Sequence, residues 1–238
     1  MMKKPFIPLD INHCVLKDTQ IDLYFFSLTE KLPESALDVL NIEEKKRANR
    51  LHFKQHQHHF KRARFMLRHL LSNYLKQAPE DIVFSYGKQG KPYLPEHPNL
   101  QFNLSHSGEY ALLAIGKTHP LGIDIERYSA RPYLGIGRHV FSNTENNDLA
   151  NLPDNLKPLM FFNIWAQKEA FIKLLGLGLS YPTTELTLPG LSQTPHQFLD
   201  PIYKNTWALF PFMPHIGYAA ALCCHPSIQT IQYIAYTV

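Results

Sequence analysis

Residues 122–127 read GIDIER, in which two isoleucines alternate with two acids, Asp124 and Glu126. A β-strand sends successive side chains to opposite faces, so Ile123 and Ile125 share one face and the carboxylates share the other, roughly 7 Å apart along the chain. Like charges at that spacing are tolerable where water screens them, or where a cation lies between them. Taken alone, the strand is consistent with both: an amphipathic strand with a wet outer face, or a cation site.

Working outward, the strand stands between two stretches with a similar order of elements. Upstream, QIDLYFFSL (20–28) reads as a strand, and a long basic helical pattern runs from Glu43 to about Lys76, with Pro79 beyond its end. DIVFSY, QFNLSHS, EYALLAIG and LGIDIE then follow as short strands between Gly, Pro and Asn turns, which predicts an antiparallel set. Downstream, a helix-rich stretch covers about 141–176, and WALF, GYAAALCC and IQTIQYIAYTV read as further strands. The expectation is an α+β protein of two similar halves, residues 1–121 and 122–238, each a small antiparallel sheet packed with a long helix. A ligand site is expected at their seam. Neither an internal sequence repeat nor a low-complexity linker is visible.

The chain has 238 residues, 45% of them hydrophobic, enough to bury a substantial core. Its 24 Lys and Arg against 20 Asp and Glu give a net charge of +4, too mild for a dedicated nucleic-acid binder and suited to an anionic ligand or acidic partner. Cys14, Cys223 and Cys224 form neither a disulfide framework nor a C-x-x-C knuckle, which points to a reducing cytoplasm. At the start, MMKKPFIPLDINH has Pro5, Pro8 and Asp10 interrupting any apolar core of a secretion signal. No run approaches the ~18 apolar residues of a membrane helix, so no membrane association is expected.

FFNIWAQKEAFIKLLGLGLS (161–180) places Trp165, Glu169 and Lys173 four apart, on one stripe of a helix. The ordinary reading of Glu169 and Lys173 is an exposed ion pair. The helix, however, is apolar nearly all round, which implies burial, and a buried carboxylate needs a partner, a metal or a proton. Two more stretches carry chemistry. QGKPYLP sets Lys91 in a Gly-Pro turn, and FNLSHSG ends a strand with Ser105, His106 and Ser107. A Ser-His hydrolase dyad is rejected, because adjacent strand residues face opposite ways and no G-x-S-x-G surrounds Ser105. A hydroxyl, an imidazole and turn amides can instead cradle phosphate oxygens. An i,i+4 pair among His52, His56, His58 and His59 can bind a metal, but no nearby acid or Cys completes a site, so they read as a solvated basic helix face; Lys45, Lys46, Arg47 and Arg50 read likewise, though some of these four could meet an anionic ligand or an acidic partner.

Taken in order, GKPYLP, FNLSHS, GIDIE and FxxxWxxKEAxxKxxGxGL resemble the successive motifs of the Sfp-type 4'-phosphopantetheinyl transferases, in their KEA-type subgroup. The resemblance implies that coenzyme A binds between two α+β halves and that Mg²⁺ holds its pyrophosphate. The 4'-phosphopantetheine arm then passes to a serine of an apo acyl or peptidyl carrier protein, releasing 3',5'-ADP. By motif position, Asp124, Glu126 and Glu169 resemble the acidic magnesium cluster, and Lys173 a lysine close to the pyrophosphate. Ser105 and His106 match a phosphate-contacting pair, Lys91 the lysine of the G-K-P turn, and Arg64 an arginine near the 3'-phosphate. Asp124, Glu169 and Lys173 are thus the expected catalytic set, with Glu169 left open between ligand and base. The segment 138–152, RHVFSNTENNDLANL, is the expected carrier contact, and a monomer is expected. Two other functions compete: a magnesium-dependent hydrolase of coenzyme A or nucleotide pyrophosphates, and a non-catalytic carrier- or coenzyme-binding module.

Overall fold

The computed structural model describes residues 7–8, 15–130 and 133–236; Cys14 and most of the N-terminal stretch read above lie outside the described residues. The fold is α+β, with two sheets each backed by a long helix. The first sheet contains β1 (Ile7–Pro8), β2 (Gln20–Ser27), β5 (Leu100–Ser107), β6 (Tyr110–Lys117) and β11 (Thr230–Ala235), in the order β1-β11-β2-β6-β5. The second contains β7 (Gly122–Arg127), β8 (His196–Leu199), β9 (Thr206–Phe212) and β10 (Tyr218–Cys224), in the order β7-β10-β9-β8, antiparallel throughout.

In the first sheet β2, β6 and β5 are antiparallel, as the short strands and tight turns predict. β11 departs from the sequence reading, which grouped it with residues 122–238. It returns to pair in parallel with β2 and with β1, so the first sheet is mixed and the chain's last strand ties it to the second half. DIVFSY forms only a short strand, β3 (Ser85–Tyr86), in a hairpin with β4 (Pro92–Tyr93). Phe84 turns inward instead, its ring beneath the guanidinium groups of Arg64 and Arg68 at 4.9 and 5.1 Å.

The long upstream helix is divided. α2 (Ile42–Asn49) and α3 (Lys54–Leu75) follow the short α1 (Ala36–Val39) and are separated by a turn. The turn folds α2 back on α3 so that Glu44 reaches two arginines of α3. Its Oε1 accepts from Arg64 Nε at 2.7 Å and its Oε2 from Arg68 Nε at 2.8 Å. The same Oε2 accepts from the backbone N–H of Asn41, whose side chain caps Glu44 in return. A buried carboxylate with two guanidinium partners and a backbone donor is satisfied, and it fixes the angle between the helices.

Behind the second sheet stand α4 (Tyr133–Val140), α5 (Asn143–Asn151) and α6 (Lys157–Leu175). α3 buries Met66, Leu67, Leu70 and Leu71 against Tyr24, Phe26, Leu113 and Ile115 of the first sheet. α6 buries Phe162, Ala166, Ala170 and Phe171 against Ala219 and Ala221 of the second. Between the sheets, Ile123, Ile125, Ala220 and Leu222 meet Ile21, Leu23, Leu112 and Ala114. The isoleucine face of GIDIER is therefore inter-sheet core, and its acidic face turns toward α6. No helix among the described residues is long and apolar enough to cross a membrane.

Candidate active site

α6 comes close to β7 because Gly122 lets it. A Cβ at Gly122 would lie 2.0 Å from Ala170 O and 2.4 Å from Leu174 N, so only glycine fits beneath the helix backbone. Asp124 and Glu126 stand opposite Ala221 and Ala219 on β10, small residues that leave room above the sheet. From Phe161 to Leu174, every residue of α6 is buried except Trp165, Glu169 and Lys173, which are half-buried. The i, i+4, i+8 stripe read from the sequence is the one face of this helix that opens on the site.

Asp124 is 2% exposed. Its Oδ1 accepts from Lys173 Nζ and, at 2.8 Å, from Ser105 Oγ; its Oδ2 is buried with no hydrogen-bond partner. Lys173 Nζ also donates to Ser105 Oγ at 2.9 Å. Glu126 accepts from Trp165 Nε1 at 3.0 Å and from Ser107 Oγ at 3.1 Å. Burial, then the charge of Asp124, pushes the Glu126 carboxyl up to about 7. Glu169 is raised by the same two causes, partly offset by Lys173, and no side-chain hydrogen bond to it occurs among the described residues. Three acids thus share one ammonium.

A cavity lies on each side of this cluster. The larger, 590 Å³, is lined by Arg47, His56, His59, His106, Ser107 and Arg127, among others, and is rich in cationic and imidazole groups. His106 reaches into it from the β5 face opposite Ser105, as strand alternation requires. Its imidazole pKa is lowered by the protein packed around it, then by Lys173 and His59. The smaller cavity, 290 Å³, is lined by Lys91, Pro92, Asn103, Glu169, Lys173 and Gly176, among others.

Asp124, Glu126, Glu169, Lys173 and Ser105 are therefore brought together, with His106 and Lys91 on the flanking cavities. Lys91 is also committed to the scaffold: its Nζ donates to Leu121 O at 3.0 Å and Leu174 O at 3.2 Å, and burial lowers its pKa to about 8. Arg64 is not brought in. It is spent on Glu44 and on Tyr86 Oη, at 3.2 Å, and lines neither cavity. Among the described residues no three His, Cys, Asp or Glu side chains converge closely enough to hold a metal together. The ammonium of Lys173 stands against Asp124 instead.

Sequence reasoning missed the grip of Trp165 and Ser107 on Glu126, and it left Arg47, His56, His59 and Arg127 unassigned. Lys168 of the KEA motif proves structural: it pairs with Glu145 at 2.8 Å and donates to Thr183 O and Leu186 O, pinning the loop after α6. The capping box Ser142-x-x-Glu145 was a readable signal for α5, but not for this second use of Glu145.

A seam between two α+β halves, with carboxylates at its floor and cationic side chains in the cavities on either side, suits the binding of a phosphate-bearing ligand. A family model described as 4'-phosphopantetheinyl transferase, N-terminal, matches residues 29–118, and that of the 4'-phosphopantetheinyl transferase superfamily matches residues 120–223. The two matches meet where β6 passes to β7, between the sheets. 4'-Phosphopantetheinyl transferase HetI of Nostoc sp. is 32% identical over 230 residues, 93% of this chain and 94% of the relative. 4'-Phosphopantetheinyl transferase Sfp of Bacillus subtilis is 30% identical over 217 residues, 88% and 93% of the two chains. Human L-aminoadipate-semialdehyde dehydrogenase-phosphopantetheinyl transferase is 30% identical over 190 residues, 73% of this chain and 62% of that one. The chain belongs to the 4'-phosphopantetheinyl transferase superfamily and is an enzyme of this type.

Proposed function

We propose that the protein transfers the 4'-phosphopantetheine arm of coenzyme A to a serine of an apo acyl or peptidyl carrier protein, with Mg²⁺ in the acidic cluster. The observation that carries the metal reading is Asp124 Oδ2, a buried carboxylate oxygen with no partner, close to Glu169 and Glu126, whose carboxyls are both raised. Hard oxygen donors in surplus over cations fit Mg²⁺, which uses few carboxylates and completes its shell with water and phosphate. Asp124, Glu126 and Glu169 are the residues that would hold it by turning their carboxylates together, since the three do not converge in this structure. When bound, it supplies charge neutralisation at the pyrophosphate.

The carrier serine oxygen attacks the phosphorus on the pantetheine side of the pyrophosphate, and the bond from that phosphorus to the oxygen of 3',5'-ADP breaks. Glu169 takes the serine proton; a carboxyl raised by burial and by Asp124 is a stronger base than an ordinary one. Lys173, beside Asp124 and Ser105, offers its ammonium to the charge that develops on the departing phosphate. Arg47 and Arg127 give the larger cavity positive charge, and His106 a neutral imidazole, to hold an anionic substrate. Cys223 and Cys224 are buried free thiols, which supports a cytoplasmic setting.

The test is to incubate the protein with coenzyme A, Mg²⁺ and an apo carrier and weigh the carrier. A carrier heavier by one phosphopantetheine supports the transferase. Free phosphopantetheine with an unchanged carrier would mean a hydrolase, and no turnover a binding module. Full modification in excess EDTA would remove the metal from the reading.

A further inference from the structure

Glu126 is held at both carboxylate oxygens by groups that the proposed chemistry does not use. From α6, Trp165 Nε1–H donates to Oε1 at 3.0 Å; from β5, Ser107 Oγ donates to Oε2 at 3.1 Å. Each donor is itself fixed. The Ser107 hydroxyl accepts the backbone N–H of Arg127 at 3.0 Å, so its single proton is left for Glu126. The chain turns at once at Gly108, with φ +57°, where a Cβ would lie 2.7 Å from Tyr218 Oη and 2.8 Å from Arg127 Cδ. The indole is stacked on Phe161, with centroids 5.9 Å apart and planes at 17°.

Ser107 is also in register with the acids. Asn103, Ser105 and Ser107 alternate along β5 and meet Ile123 N, Asp124 and Glu126 in step, at 2.8, 2.8 and 3.1 Å. The second motif serine thus differs from the first. Ser105 is buried against Asp124 and Lys173, whereas Ser107, at the edge of the larger cavity, gives its proton to Glu126. Without these donors a glutamate has free rotors, and repulsion from Asp124 turns its carboxylate away from the cluster.

We propose that Ser107, with Trp165 on the opposite edge, is a positioning residue that fixes the Glu126 carboxylate beside Asp124. The inference rests on Glu126 being an acid of the active site. It is tested first on the metal-free protein, by the indole N–H signals of ¹⁵N-labelled protein and their hydrogen exchange. The chain has two tryptophans, and the buried Trp207 serves as the internal control.

In Ser107→Ala the Trp165 indole resonance is expected to move and its exchange to quicken roughly fivefold or more, as its acceptor gains freedom. The Trp207 signal and the melting temperature stay, and Ser107→Thr, which keeps the hydroxyl, restores the Trp165 signal. In transfer assays Ser107→Ala lowers kcat roughly tenfold with KM for coenzyme A unchanged. An unchanged Trp165 signal in Ser107→Ala overturns the inference, and so does a change that spreads to Trp207 with a fall in melting temperature. The site reading fails separately, on Glu126→Gln retaining full transfer.

Discussion

Glu126→Gln is expected to make the metal-free protein more stable above neutral pH and less stable in acid. Burial, then the charge of Asp124, pushes the Glu126 carboxyl from the ordinary 4.5 up to about 7. Because the folded state holds the proton more tightly than the unfolded one, the resulting stabilisation is complete below about pH 4.5 and is lost as pH rises through about 7. At about 1.4 kcal/mol per unit the loss is roughly 3 kcal/mol, and solvent at the half-buried carboxylate reduces it to about 2 kcal/mol. Glutamine keeps the shape and one acceptor but cannot accept from both Trp165 and Ser107, which costs ~1 kcal/mol at every pH. The variant is therefore ahead by ~1 kcal/mol at pH 8, or roughly 2–4 °C, and behind by only a few tenths of a kcal/mol at about pH 5, where the unfolded carboxyl is already largely ionised. Thermal melts in EDTA from pH 5 to 8 measure this, and adding Mg²⁺ at pH 8 should return the advantage to the parent protein. A constant gap between the two melting curves across that range would refute the reasoning, because it would mean that Glu126 ionises normally and that no repulsion is stored in the cluster.

Glu169→Gln keeps the shape and one ligating oxygen but cannot take a proton, so kcat should fall by on the order of 10² to 10⁴ and extra Mg²⁺ should not repair it. Recovery of turnover in raised Mg²⁺ would make Glu169 a ligand only. Arg64→Ala strands half of the charge on the buried Glu44, so chemical denaturation should show a loss of about 3 kcal/mol or more. The affinities for coenzyme A and its 3'-dephospho form should change equally, whereas a 3'-phosphate contact would penalise coenzyme A more.

Period and spacing made a good part of this site legible. The alternation in GIDIER put Ile123 and Ile125 into the core between the sheets and left Asp124 and Glu126 on the α6 face. The four-residue spacing of Trp165, Glu169 and Lys173 put all three on the open stripe of a buried helix. Strand alternation also separated Ser105 from His106, which now serve the acid cluster and the large cavity respectively. What could not be read depends on contacts distant in sequence. Nothing local in IQTIQYIAYTV tells a strand that closes its own half from one that crosses to pair in parallel with β2. Arg64 looks like a free cation until α2 folds back and brings Glu44 against it.

The least legible feature is where Lys173 stands. Opposed acids suggest a cation between them, and here the first cation to answer is the chain's own ammonium, bonded to both Asp124 and Ser105. Withdrawal of Lys173 toward a bound phosphate would release the Asp124 carboxylate and the Ser105 hydroxyl together, one as a metal ligand and the other as a phosphate donor. The ammonium and the metal ion then compete for Asp124, which Lys173→Met tests. Without the ammonium, the buried Asp124 has only Ser105 for support, and the metal-free protein should lose about 2–4 kcal/mol. Mg²⁺ should return more of that than it adds to the parent protein, so the rise in melting temperature on adding Mg²⁺ should be larger in Lys173→Met even though transfer is slower. An equal rise in the two proteins would show that Lys173 and the metal ion do not share Asp124, and that the ammonium keeps its place through the reaction.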